Sequence, residues 1–312
     1  PVPDDGSVPE AQLSEDTRAL HITPDEFVGF TAEQLLENLT VNGYNSALIE
    51  VKGESGYVYF DSEAAVGGAL SPAYDAYGKI KYLQDNGISC IAYISCFRDT
   101  AAATSSSGME VRSSSTDSTF FDSDGYAWLD PFSEDAKKYN LDIIKEADEG
   151  GFSQIIIDNV CFPTKYTTEE PVYKADASSA DSKNAVLINF INEAVSVAGK
   201  EKLTVMCDTY GFYENKETPN ERYGRNLLKS ECLSYAADLR LTRQETAVTG
   251  NTELFSYVDE MPMVFILDAG NIAVSHLTSS KEASNILAVV ERDPADTYTY
   301  AVHSGIKNTI IW

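Results

Sequence analysis

The chain has 312 residues, with 23 Lys plus Arg against 49 Asp plus Glu, giving a formal net charge of −26. Hydrophobic residues at 43% and aromatics at 11% supply a buried core, so this is not a disordered acidic tail. The negative field repels phosphate backbones and anionic lipid, which disfavours nucleic-acid and membrane-surface roles and leaves a neutral or cationic ligand.

Residues Pro1 to Asp16 are rich in Pro, Asp, Glu and Ser and lack periodicity, so we expect a flexible spacer over 1–16 and one folded domain over 17–312. Such a spacer suits the segment after a removed signal or lipid anchor, so export to the cell surface or medium is expected; a trimmed chain is the alternative. No apolar run approaches the ~18–20 residues of a membrane span.

Short apolar or β-branched runs follow in order: Ala19–Thr23, Ala47–Val51, Cys90–Ser95, Gln154–Val160, Leu203–Asp208, Asp238–Thr242, Met263–Leu267 and Thr309–Trp312. They are too short for buried helices and are bounded by turn residues, so they read as strands. Several are apolar throughout, as in parallel sheets covered on both faces. Helical periods lie between them. Ala32–Asn42 follows a Thr31 cap and ends at Gly43; Ala73–Asn86 ends at Gly87. Ser133–Glu149 starts at a Ser133 cap with Glu134 and Asp135 in its first turn, and Asp181–Ala198 carries Leu187, Phe190 and Ile191. Further helices are expected at Arg222–Ala236, Thr252–Val258 and Lys281–Glu291. Eight strands alternating with helices predict a single-domain (β/α)8 TIM barrel. A doubly wound sheet is the runner-up, weakened because neither a dinucleotide fingerprint nor a P-loop occurs. The Ser/Thr stretch from Thr104 to Thr119 reads as a long loop on the active face.

A barrel of this kind carries its site at the C-terminal strand ends. Those ends present Glu50, Lys52 and Glu54, then Arg98 and Asp99, then Asp158 and Asn159, then Asp208 and Tyr210, then Arg240 or Arg243, and last Asp268. Asp158 closes Ile155-Ile156-Ile157 and Asp208 closes Leu203–Cys207, so both carboxylates are partly desolvated and need partners. On neighbouring strands they could face one pocket, as glycoside hydrolysis requires. Equally, each could cap a turn or pair with Arg98 or Lys52. Glu50 and Lys52, two apart on one strand, are expected to share a face, as site floor or as an interior salt bridge. Trp128 could stack on a sugar ring or pack as a rim lid.

Metal and cofactor signals are weak. The five cysteines form no disulfide framework and no C-x-x-C occurs. His21, His276 and His303 have no metal spacing, and Asp122-Ser123-Asp124-Gly125 is only a fragment of a calcium loop. We therefore expect neither a metal nor a cofactor.

Longer stretches resemble a known family. Trp128-Leu129-Asp130-Pro131-Phe132, Tyr139-Asn140-Leu141 and Gly151-Phe152-Ser153-Gln154-Ile155-Ile156-Ile157-Asp158-Asn159-Val160-Cys161-Phe162-Pro163 resemble a family of predicted glycoside hydrolases once filed as a domain of unknown function. That family has a tryptophan–acid–proline–aromatic segment, a helix and a strand reading roughly G-F-D-E-I-Q-F-D-Y-V-R-F-P. Asn45–Gly56, Ile94–Asp99, Cys207–Gly211 and Tyr257–Phe265 resemble its second, third, fifth and seventh strand regions in order. The resemblance implies a TIM-barrel glycosidase fold, a carbohydrate ligand, and a bacterial cell-surface or secreted setting. It implies Asp158 as nucleophile and Asp208 as its partner or acid; the strand-end and rim positions add Glu50, Lys52, Arg98, Trp128, Asn159, Tyr210 and Asp268 as expected substrate contacts. The chain departs from the pattern at Asn159 and Cys161, where the family has Tyr and Arg, and at Glu50, Gly53 and Phe265–Asp268. The alternative to a glycosidase is a barrel that binds glycan without cleaving it, with Trp128 and Tyr210 exposed along a groove.

Overall fold

A computed structural model describes residues 17–66, 76–105, 108–164, 169–208, 211–212 and 220–238, and the backbone of strands at 263–267, 290–292, 300–302 and 309–311. The main sheet is built from β1 (Arg18–Ile22), β2 (Ser46–Lys52), β3 (Ser89–Ser95), β4 (Gln154–Asp158), β5 (Leu203–Cys207), β6 (Ser234–Asp238), β7 (Met263–Leu267) and β8 (Thr309–Ile311). All eight pair in parallel in sequence order, and β1 bonds to both β2 and β8, so the sheet curls round in a closed order. Between the strands lie α1 (Pro24–Gly29), α2 (Ala32–Val41), α3 (Ala76–Asp85), α4 (Thr100–Thr104), α5 (Glu134–Glu149) and α6 (Ala180–Ala198). The protein is thus a mixed α/β fold on a curled parallel sheet. The expected helices at Thr252–Val258 and Lys281–Glu291, and the spacer over 1–16, lie outside the described residues.

Caps fix the helix starts. Thr31 accepts from the Gln34 N–H while Gln34 reaches back to the Thr31 N–H, a reciprocal capping box. Thr23 and Glu26 repeat it at α1, with Pro24 in the first turn. Ser133 caps α5 as expected, and Ser179 caps α6. Among the described residues no helix is long and apolar enough to cross a membrane.

One expected element is wrong. Arg222–Ala236 is not a helix: it runs through turns and then enters β6, which lies four residues earlier than the expected strand at Asp238–Thr242. Gly224 sits at φ +73°, and a Cβ there would lie 2.1 Å from the Ala180 carbonyl. The Asn184 amide from α6 donates to the Tyr223 and Asn226 carbonyls, holding them in the turn. Tyr-Ala-Ala reads as helical by propensity, but in the sheet its small residues fit a crowded interior, and Tyr235, Ala236 and Ala237 are buried.

Period-two alternation divides the core. Ala19, Leu48, Ile91, Tyr93, Ile156, Met206 and Ala236 form one buried cluster inside the sheet. Residues one step away, such as Leu20, Ala47, Ala92, Ile155, Ile157, Val205 and Ala237, join a second cluster with the helices. Each fully buried Ile or Val in these layers contributes roughly 1.5–3 kcal/mol. The connection after β3, expected as a long Ser/Thr loop over Thr104–Thr119, is long and carries paired segments. Arg112–Ser113 pairs antiparallel with Pro171–Val172 from the connection after β4, and Glu110 and Arg112 bridge to Leu129 and Thr119.

Candidate active site

Two residues beyond the inner apolar layer, at the C-terminal ends of successive strands, stand His21, Glu50, Ser95, Asp158, Asp208 and Asp238. A side-chain period of two puts them on the same inner face, as a polar ring above an apolar plug. Four of the six carry carboxylates.

Asp158 is nearly buried, 6% exposed. Its Oδ2 accepts the Tyr93 hydroxyl at 2.8 Å and its Oδ1 accepts the Asn159 N–H at 2.6 Å. Its own carbonyl accepts from the Cys96 N–H at 2.8 Å, so pairing with β3 continues past the strand end and fixes the backbone. Asn159 follows at φ +52°, a left-handed conformation that Asn tolerates better than the Tyr of the resembled motif. Its buried amide donates to Ser95 Oγ at 3.1 Å, so it braces the turn.

Asp208 is more open. Its side chain is 25% exposed and its Oδ2 lies 3.3 Å from Nη1 of Arg222, itself 26% exposed. The Arg222 Nε–H donates to Cys161 Sγ at 3.3 Å. Burial opposes the charge of Arg222, but Cys161, Tyr223, Asp208 and Asp158 together outweigh it and raise its pKa. The guanidinium contacts Asp208 directly, while Asp158 is held by Tyr93 and the Asn159 N–H. Burial pushes the Cys161 thiol up to about 11, against the pull of Arg222, so it stays neutral. On the far wall His21 Nε2 lies 3.0 Å from Glu50 Oε1.

Other expected site residues are placed elsewhere. Glu50 and Lys52 do not share a face. The register shifts between them, so Lys52 pairs opposite Ile94, whose side chain lies in the outer cluster. The Lys52 ammonium is wholly buried, donating to Asp99 Oδ2 (2.9 Å), Asn140 Oδ1 (2.7 Å) and the Cys96 carbonyl (3.3 Å), 4.7 Å from the Tyr139 ring centre. Gly56, at φ +83°, closes over this pair; a Cβ there would fall 1.8 Å from Asp99 Oδ1. Arg98 binds Glu54, Asp122 and Asp124, each at 2.9 Å, and stacks 4.1 Å from the Tyr126 ring centre. Trp128 is 4% exposed, and its indole N–H donates to Asp122 at 2.9 Å. It is a buried rim residue and does not offer the exposed face a sugar platform needs. Tyr210, Asp268, Arg240, Arg243, His276 and His303 lie outside the described residues.

The sequence reading missed Tyr93, His21, Arg222 and Asp238. Alternation along Ile91-Tyr93-Ser95 and Ala19-His21 could have found the first two. Asp238 was masked by the displaced sixth strand, which made it a start instead of an end. Arg222 carries no local signal, since it comes from a turn. Among the described residues no group of three or more His, Cys, Asp or Glu is arranged to hold a metal ion.

With this geometry, comparison with known proteins is decisive at the family level. Residues 19–231 match the family described as "Putative glycosyl hydrolase domain". The chain belongs to that family. No curated protein matches this glycosyl hydrolase family member in sequence. Among solved structures it is similar to a hypothetical protein from Ruminiclostridium thermocellum ATCC 27405, at 22% identity, covering 60% of this chain and 96% of that one, with a TM-score of 0.50. It is similar to alpha-L-fucosidase isoenzyme 2 from Paenibacillus thiaminolyticus, at 15% identity over 81% of this chain and TM-score 0.56, though it spans only 40% of that enzyme. A GH20 catalytic module of the pneumococcal exo-beta-D-N-acetylglucosaminidase aligns with 97% of this chain and 79% of its own, at 13% identity and TM-score 0.54. At these identities the likeness is one of fold.

Proposed function

We propose that this chain is a glycoside hydrolase on a complete (β/α)8 barrel, acting on a poly- or oligosaccharide through Asp158 and Asp208. The observation that carries the reading is that carboxylates end the adjacent strands β4 and β5 at positions in register with the inner face, one accepting from Tyr93 and the other paired with Arg222. Hydrolysis adds water across the glycosidic bond: its oxygen, with one proton, joins the anomeric carbon, and the other proton goes to the leaving oxygen. That requires a carboxylate as nucleophile or base and a second group to deliver the proton. The two environments differ, one nearly buried under Tyr93 and the other open beside Arg222, which is how two carboxyls are given separate roles. Asp158 takes the nucleophile or base role and Asp208 is its partner. Glu50 and Asp238 on the same ring serve as hydrogen-bond acceptors for sugar hydroxyls. An extracellular glycan as target belongs to the same proposal; the acidic composition is its support.

The test is a glycan array followed by a reducing-end release assay on the glycans bound. Turnover should fall at least about 100-fold in Asp158→Asn, with the fold retained. Binding without release by the wild type would instead favour a non-catalytic glycan receptor.

A further inference from the structure

Arg222 is anchored more firmly than a surface arginine that happens to meet a carboxylate. Its carbonyl accepts the Phe162 N–H at 2.8 Å, tying it to the strand extension beyond Asp158. Its own N–H donates to Asn220 Oδ1 at 2.9 Å. The next residue, Tyr223, is 2% exposed, and its hydroxyl accepts the Asp208 N–H at 3.3 Å. The turn that carries Arg222 is thus pinned to β4 on one side and to β5 on the other. The guanidinium itself bridges from Cys161 Sγ to Asp208 Oδ2. Cys161 stands where the resembled motif has an arginine. A small neutral side chain at 161 removes one cation and leaves its sulfur as an acceptor for the Arg222 Nε–H.

We propose that Arg222 is the positioning residue of this site: delivered from the turn before β6 and braced on Cys161, it aims the Asp208 carboxylate and holds it ionised in the free protein. The role given to Asp208 rests on the hydrolase reading above. While the pair is closed, Asp208 is an ionised partner; to carry a proton it must part from Arg222, as a glycan entering the open side could bring about. Among the described residues, the titratable groups near Asp208 and Arg222 are Asp158 from β4, Cys161 after it, Cys207 on β5, Asp238 on β6, and Tyr223 beside Arg222. Burial raises the pKa of the thiols and the phenol, so they are neutral near pH 7, and Arg222 is the described cation in contact with Asp208.

The experiment is a carboxyl carbon NMR titration of the full chain labelled at Asp, with the Asp208 resonance assigned by Asp208→Asn. In Arg222→Gln the Asp208 midpoint should rise by about one pH unit or more, and in Arg222→Lys by less, because a point ammonium cannot bridge like the fork. Asp158 should move the same way by a smaller amount. An unchanged Asp208 midpoint in folded Arg222→Gln overturns the proposal. If that variant does not fold, an unchanged midpoint in both Arg222→Lys and Cys161→Ala overturns it equally. The titration needs no turnover, so a protein that shows the shift but releases no sugar refutes the hydrolase and leaves the hold of Arg222 on Asp208 established.

Discussion

Two cation–carboxylate pairs lie near the strand ends and differ in what surrounds them. Lys52 and Asp99 are both wholly buried; Lys52 also meets Asn140 and the Cys96 carbonyl, and Asp99 also caps α4 through the Ala102 N–H. Arg222 and Asp208 are each about a quarter exposed, at the rim of the inner face. A pair with its donors and acceptors met inside the protein has little to offer a ligand. A pair open to solvent can exchange a partner at small cost. The difference separates a cation that holds the fold from one that can take part in chemistry, although both sit beside a strand-end acid.

The sharpest way to break that comparison is Lys52→Met. It leaves Asp99 buried without its cation, and we expect a loss of about 3–5 kcal/mol in urea denaturation. A loss below about 1 kcal/mol would show that the two pairs are not different in kind.

The buried thiols, of which Cys96 and Cys161 lie beside the two pairs, give a second test. Burial pushes Cys90 and Cys96 up to about 12, and Cys161 and Cys232 up to about 11. A thiol whose pKa is raised in the folded state stabilises fully below the unfolded value of ~8.5 and loses that contribution as pH rises towards the folded value. The denaturation midpoint should therefore fall steadily between about pH 8.5 and 11. At pH 8 a thiol reagent should label the five cysteines only after denaturant is added.

Trp128→Phe probes the Arg98 cluster, which resembles the buried pair more than the open one. It removes one donor from Asp122 but leaves Arg98 in place, so the expected cost is about 1–2 kcal/mol with glycan binding unchanged. Lost binding at unchanged stability would restore Trp128 as a sugar platform. The smallest effect belongs to the open pair itself. Arg222→Gln should change stability by no more than about 1 kcal/mol, even as the Asp208 titration moves.

Much of this was legible in the sequence. The β4 run Ile155-Ile156-Ile157 closing on Asp158, and the caps at Thr31 and Ser133, appear where expected because each rests on neighbours within a few residues. Lys52 was misplaced because a bulge is invisible to a period-two count: one extra residue turns the side chain from the inner face to the outer. β6 was misplaced because Tyr235-Ala236-Ala237 has helical propensity and only its neighbours β5 and β7 make it a strand.

By itself the sequence determined the parallel α/β plan, the family, and which acids end apolar strands, since these follow from local periodicity and ordered motifs. Only the tertiary structure decided which of the charged residues face one another. Arg222 reaches Asp208 from 14 residues along the chain, and Cys161 from 61 residues before it. Lys52 finds Asn140 across 88 residues. Such meetings depend on how strands and turns are stacked in space, and no local pattern of side chains records them.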